Sequence, residues 1–453
     1  MITSPAFAGK RYAVLGLARS GLATVESLLA SGAQVTAWDR QDNARDRVDP
    51  ANVLLADPLE IDLTGYDGVV VSPGVPLNTH PIAKRAAQFG VPVIGDIELF
   101  AQARASLPPH KVVGITGTNG KSTTTALVTH ILKTAGVPAL MGGNIGLPIL
   151  SQDALPEGGV YVLELSSYQI DLTYSLDCDV AVLLNVTPDH LDRYDGSFEK
   201  YAASKARLFE MQTAGHNKIS SINEEVKFEL GAQGAIASFI EDVFDHKGIK
   251  KRDQATWPSL QGPHNLENAR AAVEVADILG IDEAIIIRAL QTFTGLPHRM
   301  ERIAEHKGVL FINDSKATNT DSTAPALAAY PPENGRRRIH WIVGGLPKEN
   351  GLGATEAHIG NVAVAYTIGE AGPRFAELLE GQVKVERAEM LCEAISRAIA
   401  NASPGDVVLF SPACASFDQF KDYEQRGERF CQLVDALTGG EPAPDPCCLG
   451  DAA

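Results

Sequence analysis

The run Gly114-Ile115-Thr116-Gly117-Thr118-Asn119-Gly120-Lys121-Ser122-Thr123 carries the strongest chemical signal in the sequence. Backbone N–H groups of a glycine-rich loop at a helix N-terminus cradle phosphate oxygens. In that setting Lys121 neutralises the outer phosphates and the Ser122 hydroxyl sits on Mg²⁺, roles that need adjacent residues. The loop departs from the strict phosphate-loop pattern at Ile115, where a glycine is usual. A second turn, Gly16-Leu17-Ala18-Arg19-Ser20-Gly21, has the form of a dinucleotide fingerprint with alanine in the middle, and Asp39 closes the next strand, where a ribose partner belongs. Ala18 hinders close approach of a pyrophosphate, so a nucleotide-sugar site and a purely structural turn stay open beside a nicotinamide or flavin site.

Glu164 ends an apolar run, and Asn185-Val186-Thr187-Pro188-Asp189-His190-Leu191-Asp192 follows another. In open α/β sheets the carboxyl ends of the strands line the ligand crevice, so Glu164, Asp189 and His190 are candidates to converge on the phosphate loop. Their oxygens suit Mg²⁺, and an imidazole can complete the shell. Taken singly, each reads more readily as a hydrogen-bonded loop group, and nearness to a phosphate loop shifts that balance. The run Asn313-Asp314-Ser315-Lys316-Ala317-Thr318-Asn319 also follows a strand and is either a site or a polar loop. Lys205, within Tyr201–Leu208, reads from its own surroundings as a solvated helix lysine.

These residues need strands and turns to hold them. Residues 11–16, 34–38 and 68–71 are short apolar runs alternating with helical stretches, which implies a parallel sheet with crossover helices. Pro108-Pro109 marks a linker, and the alternation resumes with a strand at 111–116, a helix at 121–135, strands at 160–165 and 180–185, and a helix at 197–212. Helical periodicity over 264–280 and 282–293 ends at Gly295-Leu296-Pro297, and strands at 309–312, 339–343, 362–368 and 407–410 follow. The expected fold is α/β in three domains: 1–107, Rossmann-like; 108–296, a central P-loop-type parallel sheet; and 297–453, again Rossmann-like.

With 453 residues, 45% of them hydrophobic and 21% charged, the chain can bury a core throughout that length. Its net charge of −17 counts against non-specific binding to nucleic acid or anionic membrane. Six cysteines without a C-x-x-C pair suggest neither a disulfide framework nor a zinc knuckle, and fit reduced cytosol. Neither a signal segment nor an apolar run long enough to span a membrane is expected. The Cys447-Cys448 tail receives no function.

In their order these motifs resemble the Mur ligase family over nearly the whole chain. The loop at 117–123 marks the wider superfamily, which includes folylpolyglutamate synthetases. The finer resemblance rests on Gly142-Gly143-Asn144-Ile145-Gly146, Thr187–Tyr194, Gly295-Leu296-Pro297-His298-Arg299, Asn313–Thr318 and Ser411–Phe420. It implies an ATP-dependent amide ligase, cytoplasmic and monomeric, that adds D-glutamate to UDP-N-acetylmuramoyl-L-alanine through an acyl phosphate. Another ligase step on the same scaffold, or a variant that takes L-glutamate, is the alternative.

By the same resemblance, Gly117, Thr118, Asn119, Gly120, Lys121, Ser122 and Thr123 would hold the ATP phosphates. Asn265 and Asn268, after His264, would meet the adenine, and Arg299 and Asp314 the rest of the nucleotide. Ser122, Glu164, His190 and a carbamylated Lys205 would bind two Mg²⁺ ions. Gly16, Ala18, Arg19, Ser20, Asp39, Arg40, Ser72, Gly74, Asn144 and His190 fall where the family grips the UDP substrate. Lys316, Thr318, Lys348, Ser416 and Tyr423 fall around the carboxylates of D-glutamate. Leu346-Pro347 stands where the family carries a more polar pair, and Tyr423 where it often has Phe, so acceptor stereochemistry is the open part of the expectation.

Overall fold

A computed structural model describes residues 1–220, 251–348 and 350–439. The chain divides into two compact units, Met1–Ile249 with Asn268–Ala289, and Lys250–Glu267 with Leu290–Ala453. Two sheets lie in the first unit. One contains β1 (Arg11–Leu15), β2 (Gln34–Trp38), β3 (Leu54–Leu55), β4 (Gly68–Val71) and β5 (Val93–Ile94), in the order β3-β2-β1-β4-β5 and parallel throughout. The other contains β6 (His110–Thr116), β7 (Ala139–Gly143), β8 (Gly159–Glu164), β9 (Val180–Leu183) and β10 (Asn217–Ser220), in the order β10-β9-β6-β8-β7, again all parallel.

Continuous apolar runs such as Val-Ala-Val-Leu in β9 are buried on both faces, as crossover helices require of a parallel sheet. The short strands β3 and β5 and the glycine-ended β7 carry too few apolar residues to stand out in the sequence. Although Pro108-Pro109 separates the two sheets along the chain, one apolar cluster joins them, with Ile97, Leu99 and Phe100 beside Val112, Tyr161 and Leu163. The Phe100 and Tyr161 rings meet edge to face at 5.0 Å. Glu98 reinforces that seam by accepting from Tyr174 N, Ser175 N and Ser175 Oγ at 2.7 to 2.9 Å.

The second unit holds one sheet of β11 (Glu301–His306), β12 (Val309–Asn313), β13 (Ile339–Gly344), β14 (Val362–Ile368), β15 (Lys384–Glu389) and β16 (Val407–Phe410). Its order is β11-β12-β16-β13-β14-β15. The parallel expectation fails at one edge, where β11 pairs antiparallel with β12 through the tight turn at Lys307-Gly308. Glu301, Arg302, Glu305 and His306 make that edge strand polar, which hid it from apolar patterning and blunts the edge against further pairing. Inserting β16 between β12 and β13 sets the loops after β12, β13 and β16 side by side, the position where such sheets bind ligands.

Cys178 and Cys414 are buried free thiols and Cys431 is a half-buried one. Cys392 is disulfide-bonded. The Cys447-Cys448 tail lies outside the described residues. No helix among the described residues is long and apolar enough to cross a membrane.

Candidate active site

The phosphate loop leaves β6 at Thr116 and enters the helix Lys121–Thr134. Gly120 caps that helix at φ +83° with no side-chain cap bond, and the positive end of the helix dipole there favours an anion. A Cβ at Gly120 would lie 2.2 Å from Asn268 Oδ1, so a side chain here would strain the backbone and push that amide aside. Lys121 Nζ folds back to donate to the carbonyls of Gly117 (2.9 Å) and Thr118 (2.7 Å). Ser122 is buried, and Thr124 Oγ1 donates to Asn268 Oδ1 at 3.3 Å.

The loop after β9 fixes the phosphate loop from the side. Thr118 N donates to Asn185 O, Asn119 N to Asn185 Oδ1 (2.8 Å), and Asn185 Nδ2 returns a bond to Asn119 O (3.0 Å). Thr118 Oγ1 accepts from Thr187 N at 3.0 Å and sits 3.1 Å from the Tyr201 hydroxyl. Asn185 was visible in the sequence only as part of a motif; an asparagine just past a strand end was the available signal.

Lys205 is the main correction. It is 2% exposed, not solvated, because the helix Phe198–Glu210 turns this position inward with Tyr201, Ala202 and Leu208. Its Nζ donates to Gly117 O at 2.8 Å and lies 4.8 Å from the centre of the Tyr201 ring. Burial, and next the Lys121 charge, lower its pKa to about 7, while Asp189, Asp171 and Glu164 pull the other way. Asp171 also accepts from Ser204 Oγ (2.6 Å) and Tyr194 OH (2.8 Å), and so braces the turn beside Lys205, a role no sequence pattern announced.

Glu164 is 2% exposed; its Oε1 accepts from Asn144 Nδ2 at 2.8 Å, and its Oε2 has no hydrogen-bond partner. A buried, unspent carboxylate oxygen fits a hard cation. His190, at φ +53°, is half exposed, with Nε2 3.4 Å from Asp189 Oδ2 and its ring 5.3 Å from that of Tyr168. No group of three His, Cys, Asp or Glu side chains placed to hold a metal occurs among the described residues.

At the N-terminal turn, Gly16 has φ +93°, and a Cβ on Gly21 would come 1.9 Å from Gly16 O. Both carboxylate oxygens of Asp39 are used by main-chain donors, Leu17 N at 2.7 Å and Gln41 N at 2.9 Å, so its first task is to shape this turn. Ser72 Oγ donates to Gly16 O at 3.0 Å. Arg19 reaches Gly146 O at 2.6 Å, which brings the turn to the loop carrying Asn144. Arg193 Nη2 donates to Val75 O at 2.9 Å and Asn78 Nδ2 to Asp192 O at 2.9 Å, so the His190 loop also rests on this sheet. Ala18, Arg40 and Gly74 are exposed, and Ser20 is half buried.

In the second unit Asp314 is buried, accepting from Ser411 Oγ at 2.6 Å and Met300 N at 3.1 Å; burial raises its pKa to about 7. Lys348 Nζ donates to Thr318 Oγ1 at 3.2 Å, Lys316 Nζ lies 5.0 Å from the centre of the Tyr423 ring, and Ser416 is buried. Leu346 exchanges two main-chain bonds with Ala415, so the Leu346-Pro347 pair still sits against the 411–420 loop. Asn265 Nδ2 donates to Gln261 O at 3.1 Å, and burial lowers the pKa of His264 to about 4. Arg299 keeps a buried Nε without a hydrogen-bond partner.

Three family descriptions match the chain: Mur ligase MurD-like, N-terminal domain at residues 10–95; Mur ligase middle domain at 115–276; and Mur ligase, glutamate ligase domain at 298–414. A protein of Novosphingobium aromaticivorans, called UDP-N-acetylmuramoylalanine--D-glutamate ligase, is 63% identical over 98% of this chain and 99% of its own. One of the same name from Sphingopyxis alaskensis is 59% identical over 96% and 100%. Among solved structures, a UDP-N-acetylmuramate-alanine ligase of Thermotoga maritima is similar in fold, at TM-score 0.55 and 18% identity over 94% of this chain and 99% of that one. A MurF ligase of the same organism in complex with ADP matches at TM-score 0.53 and 18% identity, over 94% of each chain.

Proposed function

The chain belongs to the Mur ligase family, and on that premise we propose that it joins D-glutamate to UDP-N-acetylmuramoyl-L-alanine at the expense of ATP. The geometric observation that carries the reading is the phosphate loop held by Asn185 and Thr187, with buried Lys205 donating to its first glycine. A carboxylate is a poor electrophile, and transfer of the ATP γ-phosphoryl group to the substrate's alanyl carboxylate gives an acyl phosphate with a good leaving group. The amine of D-glutamate adds to that carbonyl, phosphate departs, and the amine gives up a proton as the amide forms. Lys121 and the helix N-terminus at Gly120 stabilise negative charge gathering on the phosphoryl oxygens.

Bound Mg²⁺, two ions in this reading, would screen the phosphates and polarise the transferred group. Ser122, Glu164, His190 and Lys205 would hold it, supported by the unspent Glu164 Oε2. An ammonium at Lys205 would repel a cation, whereas its neutral amine takes up CO₂, with loss of a proton, to give a carbamate oxygen donor. Burial favours that neutral amine. Asp39, Arg40, Ser72, Gly74 and the Gly16 turn would take the UDP portion, and Asn144 the muramoyl-peptide end. Lys316, Thr318, Lys348, Ser416 and Tyr423 would take the D-glutamate carboxylates. The enzyme works in this reading as a monomer in the cytoplasm. Substrate labelled with ¹⁸O in the alanyl carboxylate tests the chemistry: one labelled oxygen should appear in released phosphate, and unlabelled phosphate would rule out the acyl phosphate.

A further inference from the structure

Arg426 is 1% exposed, on the helix Tyr423–Thr438, and makes no ion pair with an acid among the described residues. Instead its guanidinium is spent on two loops. Nε donates to Ser315 Oγ (3.0 Å) and Nη2 to Ser315 O (2.7 Å), on the loop after β12. Nη2 also reaches Cys414 O and Nη1 reaches Ala415 O, both at 3.1 Å, on the loop after β16. Ser315 Oγ in turn donates to Tyr423 O at 2.9 Å, which ties the start of the arginine's own helix to the same knot.

The bonded residues are direct neighbours of Lys316 and Ser416, and Tyr423 is itself bonded. Two of the five side chains assigned to the acceptor, Lys316 and Ser416, therefore project from loops that one guanidinium bonds directly, and Tyr423 is tied to it through Ser315 Oγ. Burying a cation against neutral acceptors and the Phe410 ring, with no ion pair to an acid among the described residues, is costly, so core packing is a poor reason for an arginine here. Its planar fork can bridge two loops at set angles, which an ammonium cannot do. Burial lowers its pKa only to about 10, so the charge persists at neutral pH.

We propose that Arg426 is the positioning residue of the acceptor pocket, holding Lys316, Ser416 and Tyr423 at the spacing that a dicarboxylic amino acid requires. The inference rests on the reaction assigned above and deepens it. Steady-state kinetics of Arg426→Lys and Arg426→Met test it, with thermal melting and UDP-substrate calorimetry as controls of folding. The KM for D-glutamate should rise about tenfold or more in both variants, while those for ATP and the UDP substrate stay within about twofold. Arg426→Lys should not rescue, because it keeps the charge but loses the bridge; if Arg426→Met does not fold, the lysine variant carries the test. Unchanged KM values, a proportional rise in all three, or, in Arg426→Lys, a fall in kcat matched by lost folded protein would overturn the proposal. Should the wild type prefer another amino acid, the reaction assignment fails by itself, and the role of Arg426 is then read from the KM of that acceptor.

Discussion

Lys205 Nζ lies 2.8 Å from the carbonyl oxygen of Gly117 and donates a hydrogen bond to it. The bond joins a helix lysine to the first residue of the phosphate loop, 88 positions earlier in the chain. It also puts two lysines on one carbonyl, because Lys121 Nζ donates to the same oxygen at 2.9 Å. Two ammonium groups that close repel each other, and the buried one yields its proton more readily.

Removing that amine should be costly to catalysis and mild for binding. Lys205→Ala is expected to lower turnover by about a hundredfold or more, with UDP-substrate affinity nearly unchanged by calorimetry. Acetate should restore part of the rate by placing a carboxylate where the carbamate would lie, and Lys205→Arg should not. Near-normal turnover of the alanine variant in CO₂-depleted buffer would return Lys205 to a packing role.

Asp39 is expected to act through the turn it shapes. Asp39→Ala strips the acceptors from Leu17 N and Gln41 N, and should weaken UDP-substrate binding about tenfold. The same calorimeter should show no heat with NAD(H), since Ala18 occupies the position where a dinucleotide needs bare backbone. Tight NAD(H) binding would overturn the nucleotide-sugar reading of this sheet.

A pH effect on stability should trace to Asp96, a buried carboxyl whose Oδ2 has no hydrogen-bond partner. Burial raises its pKa from 3.8 to about 6, so between those values the folded chain holds more protons at this site than the unfolded one. The sign follows: the destabilising contribution is absent below about pH 4, grows as pH rises and is complete above about pH 6. Asp96→Asn should therefore stabilise by up to about 3 kcal/mol at pH 8 and by almost nothing at pH 4. Thermal melts at the two pH values check it, and equal shifts at both would contradict it.

Part of the candidate site was legible because its chemistry is local. The phosphate loop announces itself by glycines between an apolar strand and a helix, and Glu164 and His190 by their places after strands. What stayed hidden depends on packing between distant segments. Nothing around Lys205 in the sequence distinguishes it from a solvated lysine; its burial comes from the Gly117 loop arriving beneath it. Arg426 and Asp96 are hidden for the same reason, since a charged residue on a helix is ordinarily read as surface. The antiparallel β11 was missed because edge strands are polar by design, and the cysteine pattern did not announce the bond at Cys392.

The central claim is the identity of the acceptor, and initial rates of phosphate release from ATP with UDP-N-acetylmuramoyl-L-alanine measure it most directly. D-Glutamate should stimulate release far more than L-glutamate, L-lysine or diaminopimelate, with one new amide in the product for each phosphate released. Equal or faster release with L-glutamate would contradict the account and point to the loop around Leu346-Pro347.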